Sequence, residues 1–145
     1  MNAFDIYLRR GVVYLPTMAK VLTGGGQEIE PVEKASVSDE TALRHAIKET
    51  LARGNPVLAS YSYADNPDPW VIKSAKVKSF GEFAQGAMLW IMVEKDGVYE
   101  IRGQMKRPYK GWVPDPKNKI DLPSGSTSDD WVDRMIIILQ AAARR

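Results

Sequence analysis

Ala87-Met88-Leu89-Trp90-Ile91-Met92-Val93-Glu94-Lys95-Asp96-Gly97-Val98-Tyr99-Glu100-Ile101-Arg102-Gly103-Gln104 is the stretch whose reading decides the fold. An Asp-Gly pair between two β-forming runs suits a type I′ turn, since both central residues take positive φ and the turn twists with its strands. The pair predicts a hairpin, with one strand from Met88 to Glu94 and the other from Val98 to Gln104. The first strand is apolar on both faces until Glu94, as expected of a central strand covered on both sides.

Toward the N-terminus, the next clear element is a helix. Asp39 and Glu40 suit a helix start and Ser38 its N-cap, while Gly54 after Arg53 suits its end. Between them Ala42, Leu43, Ala46, Ile47, Thr50 and Leu51 fall on one face, which predicts packing on a sheet. His45 lies off that stripe and reads as a solvated side chain. Before this helix, Phe4 to Arg9 and Val12 to Leu15 read as short strands around Arg10-Gly11. Pro16 suggests that the second is an edge or broken strand. Gly24-Gly25-Gly26 reads as a hairpin tip leading to a third strand between Gln27 and Val37. No Lys-Ser/Thr follows the glycines, so a phosphate loop is not indicated.

After the helix, Asn55-Pro56 and Val57 to Tyr63 suggest a strand, and the prolines of Ala64 to Pro69 a loop. The β-branched residues of Trp70 to Ser79 favour a strand, with a helical turn over Ser79 to Gln85. Beyond the hairpin, Met105 to Ser128 carries Pro108, Pro114, Pro116 and Pro123 and reads as a long loop. Thr127 or Ser128 then caps a second helix whose Trp131, Val132, Met135, Ile136, Ile138 and Leu139 form a broad apolar face.

These elements predict an α+β fold in a single domain spanning residues 1–145, with a largely antiparallel sheet and both helices packed on it. The protein has 145 residues, 44% hydrophobic and 26% charged, which fits one packed core. It contains no Cys and one His, which excludes thiol chemistry, cysteine metal sites and any site needing two imidazoles. Its longest apolar run, Ala87 to Val93, is far short of the roughly 20 residues of a spanning helix. With no pattern of an export signal at Met1, the expectation is a cytoplasmic protein without membrane partners.

Paired carboxylates invite a metal reading at Asp65 and Asp68 and at Asp129 and Asp133, but turn chemistry explains the first pair, helix capping accounts for Asp129 and Asp130, and an acid pair on a single helix without a partner motif is not a site. No metal or cofactor is expected. The basic residues are concentrated: Arg102, Lys106, Arg107, Lys110, Lys117 and Lys119 face only Asp115 in that stretch. There Lys106, Arg107, Tyr109, Lys110 and Trp112 interleave cations with aromatics, and these are the candidate partner-binding residues. The absence of a nucleophile or phosphate motif argues against catalysis. The expectation is a non-catalytic protein-binding domain, with the profile of a cognate inhibitor or immunity protein of a bacterial toxin. The alternatives are a nucleic-acid-binding accessory protein that uses Met105 to Lys119, and a small carboxylate-based enzyme.

Overall fold

The Asp96-Gly97 turn is present in the computed structural model, which describes residues 1–61, 69–108 and 111–145. Asp96 and Gly97 have φ of 54° and 76°, as a type I′ turn requires. The elements are β1 (Asn2–Arg9), β2 (Val12–Val21), β3 (Gly26–Ser36), α1 (Glu40–Arg53), β4 (Val57–Leu58), α2 (Trp70–Ala75), α3 (Phe80–Ala84), β5 (Ala87–Lys95), β6 (Val98–Arg107), β7 (Gly111–Asp121) and α4 (Ser128–Ala143). One sheet runs β3-β2-β1-β5-β6-β7, with neighbouring strands antiparallel. Short β4 joins β2 in parallel. The architecture is α+β, and β5 lies between β1 and β6 as its two apolar faces required.

One face of the sheet carries α1 and α4. Phe4, Ile6 and Leu8 of β1, Val13 and Leu15 of β2, and Trp90 and Met92 of β5 meet Leu43 and Ile47 of α1 and Val132, Met135 and Leu139 of α4. Arg44–Asp133 and Lys48–Asp129 ion pairs close the outer seam between these helices. Asp39, rather than Ser38, caps α1 by accepting from the Ala42 amide at 3.1 Å. The Ser38 hydroxyl is instead within 2.9 Å of the Ser36 hydroxyl. For α4, Thr127 and Asp130 form a reciprocal capping box.

The opposite face has its own apolar cluster, built from Tyr7, Tyr14, Ala87 and Leu89 on the sheet and Val71 and Phe83 on α2 and α3. This corrects the strand expected over Trp70 to Ser79. Val71 and Ala75, four residues apart on one helical turn, both pack into the cluster, and that burial overrides the β preference of the branched residues. Lys76, at φ 58°, ends the helix. α3 matches the expected helical turn. The expected strand beyond Leu58 is cut to two residues, and its end from residue 62 lies outside the described residues.

The long loop is a second correction, because β6 reaches Arg107 and β7 occupies Gly111–Asp121. Pro114 and Pro116 are tolerated because β7 is an edge strand with an irregular ladder. Arg102 pairs with Lys119 but Gln104 pairs with Pro114, so the intervening residues of β7 arch outward. Asp115 closes the arch by accepting from the Lys117 amide and the Asn118 side chain. A Cβ at Gly103 would meet Asn118 Cβ at 2.7 Å, so only glycine lets the arch lie this close. β2 likewise is interior, not an edge; its register with β3 breaks at Pro16/Thr17. Asn55 bridges the neighbouring ladder, accepting from Ala3 N and donating to Ala3 O and Met18 O.

Candidate partner-binding surface

The antiparallel order brings remote basic residues to one end of the sheet. Arg9 ends β1 and Arg10 starts its turn into β2, while β6 finishes at Lys106 and Arg107 beside the start of β5. α4 also finishes there: Arg145 lines a groove with Met88 and Gln104, and Arg144 precedes it. Three dibasic pairs, from the beginning, the middle and the end of the sequence, thus lie at the same end of the sheet, Arg9 and Lys106 toward α3 and Arg145 beside α4. Among the described residues none of the six cations is in an ion pair, whereas Arg44, Lys48, Arg53, Arg102 and Lys119 all are. Several carboxylates are engaged with other groups: Asp39 caps α1, Glu40 pairs with Arg44, and Glu82 accepts from the Lys78 amide.

Of the residues expected from sequence to bind a partner, Lys106 and Arg107 are exposed at this end. Lys106 Nζ donates to the Ala84 carbonyl at 2.5 Å and lies 5.6 Å from the centre of the Trp112 ring. Trp112 is half-buried, edge-on to Tyr7 and Phe80 at 5.7 and 5.9 Å, and belongs to the second apolar cluster. Its indole is therefore not the free anchor expected of a loop residue. Tyr109 and Lys110 lie outside the described residues, as do Asp65 and Asp68. Of the other acidic pair, Asp129 and Asp133 bind Lys48 and Arg44.

The groove beside Arg145 has a volume of about 360 Å³ and runs between α4 and the β5–β6–β7 side of the sheet. Arg134 and Asn118 give it polar walls, and Ile137, 61% exposed, an apolar one. An exposed aliphatic side chain flanked by arginines is a combination that protein interfaces use. Sequence reading missed this surface because its parts lie in segments that only the strand order brings together. The Arg9-Arg10 and Arg144-Arg145 doublets were the available signal.

A second polar feature lies on the α2–α3 side of the sheet. Asp5 and Tyr7 share one face of β1, and the Tyr7 hydroxyl donates to Glu28 Oε1 at 2.7 Å. Burial pushes the Asp5 carboxyl up to about 6. Burial, and then the neighbouring Asp5 charge, push Glu28 up to about 7, partly offset by the Tyr7 hydrogen bond. Tyr7 is itself pushed upward by burial and by both carboxylates. Protonatable carboxyls of this kind can carry acid/base chemistry, but they also arise wherever a sheet buries acidic groups.

No protein family's sequence profile matches this sequence, and no curated protein does. A solved structure described as "Protein of Unknown Function NMB0488 from Neisseria meningitidis" is similar in fold, with a TM-score of 0.68 and 9% identity, over 97% of this protein and 94% of that one. The likeness shows the α+β fold across nearly the whole sequence. No helix among the described residues is long and apolar enough to cross a membrane.

Proposed function

We propose that this protein is a non-catalytic protein-binding domain of the inhibitor or immunity type, which neutralises a bacterial toxin by docking its basic end on an acidic face of that partner. The observation that carries the reading is the placement of Arg9-Arg10, Lys106-Arg107 and Arg144-Arg145 at one end of the sheet without ion-pair partners among the described residues. Gathering like charges at one end is unfavourable for the isolated domain, and a complementary surface relieves it while steering encounter. The groove with exposed Ile137 beside Arg134 and Arg145 supplies the apolar contact such an interface needs. The fitting partner face is acidic, which sets it apart from the cationic substrate surface of a nuclease.

The same cations also suit nucleic acid. Against that reading, Trp112 and Phe80 are occupied with each other and with Tyr7, so they do not form the stacking platform that single strands require. The experiment is a binding titration against the product of the neighbouring gene, with wild type and the double variant Arg10→Glu/Arg107→Glu. The reading expects a loss of at least about tenfold in affinity with folding intact. Unchanged affinity would remove the basic end from the interface. Retention on an oligonucleotide, with a steep salt slope, would favour nucleic acid instead.

A further inference from the structure

Arg9 is only 6% exposed, and its Nε is sealed from solvent without a hydrogen-bond acceptor. Nε is the one nitrogen of its guanidinium that is both sealed and unpartnered, and among the described residues no carboxylate forms an ion pair with the group, whose terminal nitrogens are left as the accessible donors. The Phe83 ring, 5.9 Å from the guanidinium carbon, offers a cation–π contact but no acceptor. Lys106 is bound to the carbonyl of Ala84, the residue after Phe83, which places a second cation against the same end of α3.

We propose that Arg9 is the seat of a carboxylate from the partner, an Asp or Glu side chain or the partner's C-terminal carboxylate, with Lys106 as the neighbouring cation. The guanidinium fork matches a planar carboxylate through two parallel hydrogen bonds. Phosphate fits less well. It draws on more donors than one guanidinium edge presents. This inference rests on the proposed protein-binding role only for the source of the carboxylate.

The free protein tests it, so its failure and the failure of the partner reading are distinguishable. Melting temperatures are measured in sodium acetate and in sodium chloride at equal ionic strength, for wild type and Arg9→Met. The expected result has three parts. Acetate raises the wild-type melting temperature above that in chloride, Arg9→Met loses this response, and in chloride the variant melts no lower than wild type, since an unpaired buried charge has become an apolar side chain. A variant that melts below wild type in chloride would make Arg9 structural and overturn the proposal. So would an acetate response that survives the substitution. If the variant does not fold, the Arg9 Nε–H resonance of the wild type decides: a saturable shift with acetate supports the site, and no shift overturns it. A shift at lower concentrations of inorganic phosphate than of acetate would overturn the carboxylate assignment.

Discussion

The Tyr7 hydroxyl reaches over β2 to donate to Glu28 Oε1 at 2.7 Å, joining β1 to β3, two strands that are not neighbours in the sheet. The bond sits beside Asp5, whose charge makes Glu28 harder to ionise on top of the burial that both carboxyls share. Both groups therefore hold protons in the folded protein at pH values where the unfolded one has lost them.

That difference sets the sign of a pH dependence. The folded state binds more protons, so the contribution of these two groups is fully present below the ordinary carboxylate range near pH 4 and is lost as pH rises through about 6 and about 7. Denaturant unfolding at stepped pH should show stability falling across that window, by at most about 3 kcal/mol for each of the two groups. Glu28→Gln should flatten the curve in the upper part of that window. A wild-type curve that is already flat there would count against the buried pair.

Gly97→Val should destabilise the protein by about 1 kcal/mol or more, because a β-branched residue resists positive φ. Gly97 has φ of 76° with no atom within 4 Å of where a Cβ would sit, so the cost is conformational and not steric crowding. Chemical denaturation measures it directly, and an unchanged midpoint would contradict the turn.

Ile47→Ala and Leu139→Ala should each cost roughly 2 to 5 kcal/mol, since both side chains are fully buried between sheet and helices. A loss below about 1 kcal/mol at either position would mean that the α1–α4 face is packed differently.

Trp112→Ala should lower the melting temperature, by about 2 kcal/mol in stability, because the indole packs on Tyr7 and Phe80. This differs from the sequence expectation of a binding anchor whose loss leaves folding intact. An unchanged melting temperature would return Trp112 to that role.

Elements with a strong local signal were legible in the sequence. The 87–104 hairpin was, as were the amphipathic stripes of α1 and α4, because turn chemistry and apolar periodicity are local. α2 was not, since its six residues include Trp70, Val71 and Ile72, whose intrinsic preference is for strand, and only burial on the second face makes them helical. β7 was hidden by Pro114 and Pro116, which an edge strand with an outward arch accommodates. In the candidate surface, Lys106 and Arg107 were visible as part of a charge run. Arg9 and Arg145 were not, because their relation to that run exists only through the pairing of β1 with β5 and the return of α4 along the sheet.

Amide hydrogen exchange with and without the neighbouring gene's product tests the central claim most directly. The account predicts that the partner slows exchange at the end of β6, the start of β7 and the last turn of α4 together, because those segments carry or flank the converging cations. Protection confined to the opposite end, around the Asp96-Gly97 turn and the start of α4, or no protection at all, would contradict it.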